Sequence, residues 1–458
     1  MDGTATAYYE DNGKGFAGGF GGPGQPYAKS PDNSWQITVY DPSFHTPDWV
    51  KNGIIYQIFP ERFRDGDPTN DTPPGSFHYN IPGGSIYRSN GTAWNTPICD
   101  PRDPAGPCPQ VYGQNFYGGD LQGIIAKLDY LADLGVTAIY MNPIFTSPSN
   151  HKYDTTNYGE IDPAFGDLAD FQTLTSEAAA RGISVILDGV FNHTSSDSIY
   201  FDRYHRYAEV GACESATSPY RDWYYFTDVT PGTGACTGSD GTPLAANYES
   251  WWGYDSLPKL RANTPAVRDL IWAQGTASIG PYWISEGADG WRFDVGGDVD
   301  PGTTGDPAND YWEGFRNAVR TVNPETYLVG EEWGNSTSWL LGNEWDASMN
   351  YQFGTSIKGF YRHTPFTDND HNSGSSAGII APLKPSQLEE RLRYLEERNP
   401  PEAFYAMLNL LDSHDTNRAL FFMDHNAAVG TDPTPLQSPT YDWSDAMTCL
   451  MGVVLLQF

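Results

Sequence analysis

The chain has 458 residues, of which 58 are Asp or Glu and 26 Lys or Arg, for a formal net charge of −32. Its length exceeds one small core and predicts a barrel-sized domain with an insertion and a terminal appendage. The charge excludes nucleic acid and anionic membrane surfaces as partners, while 14% aromatic residues leave rings to stack on an uncharged ligand after the core is filled.

Residues 1–48 hold glycines clustered from Gly13 to Gly24, an alternating run from Trp35 to Tyr40 and then proline-rich text, the pattern of a β-domain remnant followed by a linker. From Gly53 apolar strands alternate with longer helical segments, the order of βαβ units around a parallel sheet. Strands are predicted at GIIYQIFP from Gly53, TAIYMNP from Thr137, ISVILDGVFNH from Ile183 and GWRFDV from Gly290. Three more follow at TYLVGEEW from Thr326, ASMNY from Ala347 and AMLNLLDSHD from Ala406. Helices between them include IIAKLDYLADLG, ending at Gly135 as at a C-cap, and SQLEERLRYLEERN, stopped by Pro400 and Pro401.

A closed parallel barrel needs eight strands. The chain ends at Phe458 inside the seventh helical pattern, DAMTCLMGVVLLQF. Residues 194–262, rich in Tyr, Trp, Gly and Ser, break the rhythm after the third strand and read as an inserted subdomain. The predicted fold is α/β, a (β/α)8 TIM barrel truncated before its eighth strand. Its barrel covers 49–193 and 263–458, its insert 194–262, and part of an N-terminal β-domain with its linker 1–48.

Two cysteine pairs close in sequence, Cys99 with Cys108 and Cys213 with Cys236, lie in Gly/Pro-rich stretches suited to disulfides. Cys449 sits in an apolar helical pattern as a buried small hydrophobe. Paired cysteines point to a secreted, extracellular protein. No signal-peptide pattern opens the chain and no apolar run reaches membrane-spanning length, so a secreted form has lost its leader or the chain is an excised piece.

In a parallel barrel the C-terminal strand ends converge on one face, where reactive groups gather. Here the third strand ends in Asp188, with Asn192 and His193 beyond it, the fourth in Arg292 and Asp294, the fifth in Glu331, and the seventh in His414 and Asp415. Glycosidic cleavage needs one carboxylate to attack or stabilise the anomeric carbon and a protonated carboxyl to supply the leaving oxygen with a proton. The third carboxylate, by like-charge proximity, helps Glu331 stay protonated, and Arg292, two residues before Asp294 and on the same side of the strand, keeps Asp294 ionised. Asp65, Asp67, Asn70 and Asp71 place four oxygen donors in seven residues, the ligand chemistry of a hard cation such as calcium.

The blocks DGVFNH (188–193), GWRFDV (290–295), VGEEW (329–333) and LDSHDTNR (411–418) resemble, in the right order, the four signature regions of the α-amylase family, glycoside hydrolase family 13. SLPKL from Ser256 and NPIF…SNHKYDTTNY (142–158) add two secondary signatures, and IYQIFPERFRDGDPTND is most similar to neopullulanases and bacterial amylopullulanases. The resemblance implies a retaining, endo-acting hydrolase of α-1,4 bonds, with α-1,6 bonds as a further option, in starch, glycogen, pullulan or another α-glucan polysaccharide or oligosaccharide, with Asp294 as nucleophile, Glu331 as general acid/base and Asp415 holding sugar hydroxyls. It implies Tyr153 as the ring under the sugar at the cleavage point, and His193, Arg292, Trp333, His414 and Arg418 as further substrate-binding residues. It closes the Ca2+ site with a backbone oxygen of Gly118 and with Asp120, and adds Asn192 to a second calcium. Asp298 departs from the His, Lys or Glu that the family has four residues after the nucleophile, which bears on the acceptor-side subsites. Alternatives are a transglycosylase on the same scaffold, a non-catalytic carbohydrate-binding protein, and an inert fragment of a longer enzyme.

Overall fold

The computed structural model describes residues 8–11, 24–29, 37–79, 87–88, 115–230, 235–300, 310–362, 366–367, 379–424 and 442–457. The chain divides into two compact units, Pro47–Gly330 and Met1–Thr46 with Glu331–Phe458.

In the Pro47–Gly330 unit five parallel strands lie side by side in chain order: β1 (Ile55–Ile58), β2 (Ala138–Met141), β3 (Ser184–Gly189), β4 (Gly290–Phe293) and β5 (Tyr327–Gly330). Helices fill every crossover: α1 (Leu121–Ile125) and α2 (Leu128–Asp133), then α3 (Leu168–Ala179), α4 (Ile279–Ser285) and α5 (Tyr311–Val322). This consecutive parallel winding is that of a TIM-type barrel, the predicted class. The predicted helix 124–135 is interrupted at Lys127, whose φ of −114° and ψ of 4° leave the helical region, and the segment ends on Gly135 at φ +87°, where only glycine sits without strain. Helix α3 begins in a capping box, in which the Asp167 carboxylate accepts from the backbone N–H of Ala169 and Asp170 and the Asp170 carboxylate accepts from that of Asp167.

Strand periodicity sorts the side chains of β4 to two faces. Trp291 and Phe293 face the helices, with the Phe293 ring 4.1 Å from Trp312 and 5.0 Å from Phe315, and the Trp291 indole N–H donating to the carbonyl of Gly280 at 3.3 Å. Burying each such ring stabilises the fold by about 1.5–3 kcal/mol. Arg292, between them, takes the other face and is wholly buried there.

Among the described residues of 194–262 the strand pairs are short, Phe226–Thr227 with Asn247–Tyr248 and Cys236–Thr237 with Pro243–Ala245, beside single bridges such as Tyr224 to Leu260. The stretch is held instead by the disulfide Cys213–Cys236 and by rings around Phe201, which meets Tyr224, Phe226 and Tyr248. Cys99 and Cys108 lie outside the described residues.

In the other unit Tyr8–Asp11 pairs antiparallel with Gly24–Tyr27. The described end of the predicted alternating run, Ile37–Tyr40, is not a strand; Thr38 instead donates its hydroxyl to the carbonyl of Arg398 at 2.8 Å. Strand β6 (Ala347–Ser348) precedes α6 (Tyr351–Arg362), and α7 (Pro385–Arg398) precedes α8 (Pro401–Ala406). The strand predicted from Ala406 is reduced to one parallel bridge between Leu408 and Met349. Pro401, at the first position of α8, opens a helix that consumes the start of that strand. Helix α9 (Ser444–Gln457) packs Ala446 and Val453 against Ile357, Leu388 and Phe422, with Cys449 half-buried at the edge of the cluster. No helix among the described residues is long and apolar enough to cross a membrane.

Candidate active site

The register of β3 against β4 sets Arg292 beside Asp188. The Arg292 Nη1 donates to Asp188 Oδ1 and Oδ2 at 3.0 and 3.1 Å and to Asp294 Oδ1 at 2.9 Å, so one buried guanidinium serves two carboxylates. Asp188 Oδ2 also accepts the hydroxyls of Tyr140, on β2, and of Tyr153 at 2.8 Å. Burial pushes the Asp188 carboxyl above the usual range, opposed first by Arg292 and then by the tyrosine hydrogen bonds. Burial likewise holds both tyrosines far above their ordinary pKa, so each remains a hydroxyl donor.

Asp294 follows the last residue of β4, and its N–H donates to the Gly189 carbonyl at 3.1 Å. The next residue, Val295, has φ +41° and ψ 45°, a left-handed conformation that a β-branched side chain rarely adopts. Such strain costs on the order of 1–3 kcal/mol and persists only where neighbouring structure enforces it. Here the register of β4 and the turn into Gly296–Val299 do so, re-aiming the chain immediately after Asp294.

Tyr153 is fixed from both ends. Its hydroxyl meets Asp188 and takes the amide of Asn142 at 3.3 Å, while its carbonyl contacts His193 Nε2 at 3.2 Å. Lys152 before it is buried at φ +63°, with Nζ on Asp162 at 2.6 Å and on the Ser147 carbonyl at 3.0 Å. Burial lowers the His193 pKa to about 4, so its imidazole is neutral near pH 7 and offers one donor and one acceptor.

The second unit gathers the remaining predicted residues. Glu331, the residue after β5, is largely buried, and its Oε1 accepts from the Trp333 indole N–H at 3.0 Å. Trp333 stacks on Tyr351 with centroids 3.7 Å apart and planes within 9°, and the Tyr351 hydroxyl lies 3.3 Å from Ser413 Oγ. Ser413 Oγ in turn accepts from the N–H of Asp415 at 3.2 Å, and Asp415 Oδ2 is 3.2 Å from His414 Nε2. Arg418 Nη1 donates to the carbonyls of Ser413 and Thr416, clamping that turn. Thus Asp188, Arg292, Asp294, Tyr153 and His193 meet in one unit, and Glu331, Trp333, His414, Asp415 and Arg418 belong to the other.

The predicted cation loop is bonded to the start of α1. Asp120 caps α1 by accepting from Gly123 at 2.6 Å, and the same carboxylate accepts from the N–H of Gly66 and Asp67 and from the Asn70 amide. A Cβ on Gly119 would lie 2.0 Å from the Pro60 carbonyl and one on Gly123 1.9 Å from that of Arg64, so glycine is required where these segments cross. The Asn70 side-chain oxygen is buried without a hydrogen-bond partner, a donor set that fits a hard cation. Asp67 Oδ1 is engaged by the N–H and hydroxyl of Thr69.

Sequence reasoning did not single out Tyr140 or Tyr351. The signal for Tyr140 was present, a polar-tipped ring in an otherwise apolar strand; that for Tyr351 was not, because its partner Trp333 is distant in sequence.

The family model described as the α-amylase catalytic domain matches residues 57–434. An amylopullulanase of Thermoanaerobacterium saccharolyticum is 41% identical over 447 residues, covering 93% of this chain and 32% of that protein. Neopullulanase 2 of Thermoactinomyces vulgaris is 35% identical over 386 residues, covering 84% and 54%. Among solved structures, the cyclic α-maltosyl-(1→6)-maltose hydrolase of Arthrobacter globiformis matches with a TM-score of 0.61 at 32% identity, covering 84% of this chain and 70% of that one. The chain spans a third or less of the amylopullulanases and about half of the neopullulanase. It belongs to the α-amylase family.

Proposed function

We propose, on the premise of that family membership, that the chain carries the catalytic part of a retaining glycoside hydrolase that cleaves α-1,4 and also α-1,6 glucosidic bonds in α-glucans. The observation that carries it is the buried Asp188–Arg292–Asp294 cluster, with Tyr153 bonded into it, at the C-terminal ends of adjacent parallel strands. A carboxylate ion-paired with Arg292, on a backbone turned sharply after it, is suited to nucleophilic attack. In this reading Asp294 attacks the anomeric carbon while Glu331 gives its proton to the departing glycosidic oxygen. A glycosyl–enzyme ester forms as the glycosidic bond breaks. Glu331 then takes a proton from water, which cleaves the ester with net retention. Asp415 and His414 would hold ring hydroxyls, and Tyr153 would stack under the sugar.

The test is product analysis on pullulan and soluble starch. Cleavage of both, abolished to within background by Asp294→Asn in a protein that still unfolds cooperatively, is expected. Asp294→Asn with near-normal turnover rules Asp294 out as nucleophile; a folded chain that cleaves neither polymer overturns the substrate class. Products longer than the substrate would favour transglycosylation, in which a sugar hydroxyl intercepts the ester.

A resident Ca2+ is part of the proposal, held by Asp65, Asp67, Asn70, Asp71, Asp120 and the Gly118 carbonyl. It would tie the loop after β1 to the start of α1 and supply charge neutralisation, with no role in bond cleavage. The disulfide Cys213–Cys236 supports secretion into an oxidising compartment.

A further inference from the structure

Residues 250–258 close a tight reversal in the insert. Trp251 N–H donates to the Leu257 carbonyl at 3.0 Å, Tyr254 N–H to that of Trp251 at 3.0 Å, and Leu257 N–H to that of Tyr254 at 2.9 Å, with Ser250 bridged to Pro258. On this rigid loop Trp252 leaves 82% of its surface in solvent and Tyr254 58%. A single exposed ring needs no explanation, but Trp252 also sits at φ +50°, ψ 22°, an outlier for a bulky residue. The strained backbone thus keeps most of this indole in solvent, its ring contact being with Trp251 beside it.

The rings are also ordered. Trp251 stacks with both, 5.4 Å from Trp252 with planes 24° apart and 6.0 Å from Tyr254 with planes 25° apart. On the inner side it stacks against His193, 5.9 Å away at 29°. His193 contacts the Tyr153 carbonyl, and the Leu260 N–H donates to the Asn192 carbonyl at 2.9 Å, so the loop is tied to the Asp188–Asp294 cluster within one unit.

We propose that Trp252 and Tyr254, backed by Trp251, form a stacking platform for a glucosyl unit of an α-glucan whose other units enter the candidate active site. A pyranose offers flat faces of C–H bonds to an open π face while its hydroxyls stay in water, and large rigid rings give contact area at little cost in side-chain entropy. The net charge of −32 disfavours anionic occupants of the same surface. The proposal rests on the α-glucan reading above.

The experiment compares the full chain with Trp252→Ala and Trp252→Phe by retardation in native gels containing amylopectin, and by maltoheptaose titration of tryptophan fluorescence. Trp252→Ala should weaken binding about tenfold, with Trp252→Phe recovering most of the loss and the melting temperatures of both variants unchanged. Equal binding by Trp252→Ala and the parent overturns the platform while leaving the hydrolase reading intact. A parent that neither binds the gel nor turns over pullulan overturns the hydrolase reading itself, and the platform with it.

Discussion

Arg292 is wholly buried and holds Asp188 and Asp294 through a single nitrogen. A buried charge left without its partner is among the costliest defects a fold can carry, so Arg292→Met should destabilise the chain by about 3–5 kcal/mol in urea unfolding. A loss below about 1 kcal/mol would mean that the tyrosine hydrogen bonds alone sustain Asp188. The positions of Asp294, Arg292 and Glu331 at strand ends were legible because period-two alternation and strand termini are local properties. That Tyr140 shares Asp188 with Arg292 was not, because it depends on the register of three strands at once.

The insert and the cation loop are elements stabilised by specific polar and covalent contacts more than by regular structure. Asp197 in the insert is pushed up to about 7 by burial, which outweighs its ion pair with Arg206; Asp202 nearby adds to the rise and the Tyr207 hydroxyl opposes it. A carboxyl whose folded pKa lies above its unfolded value near 4 favours the fold while protonated. Its contribution is complete below about pH 4 and is lost as pH rises through about 7. The melting temperature should therefore fall over that window by more in the parent than in Asp197→Asn, and identical profiles would refute the assignment. The calcium proposed for the Asp65–Asp71 loop would, at a free concentration about a hundred times its dissociation constant, add about 2.7 kcal/mol. Removing it with a chelator should lower the melting temperature, and readdition restore it; Asp120→Ala should abolish the calcium dependence. The helix predicted over 124–135 was legible in its C-terminal glycine but not in its break at Lys127, since nothing local in that sequence forbids helix.

Over the whole chain, 58 acidic residues against 26 basic ones impose self-repulsion on the compact state. Raising NaCl from low salt to about 0.5 M at a fixed calcium concentration shortens the screening length to a few ångströms and should raise the melting temperature. A fall would show that paired charges, not the net excess, dominate. The sequence by itself determined the class of fold, the order of the first five strands and the identity of the residues at their ends, because apolar periodicity and punctuation by Gly and Pro act over a few residues. It also indicated the disulfide between Cys213 and Cys236. Only the tertiary structure decided that Leu408 makes a single bridge where a strand was expected and that Val295 is strained behind Asp294. It alone placed one guanidinium between two carboxylates and ordered the rings of Trp251, Trp252 and Tyr254. The bridge and the guanidinium cluster depend on strand register and on contacts between segments far apart in the chain, and the left-handed turns at Val295 and Trp252 persist only because surrounding structure enforces them, so no local pattern encodes their energy.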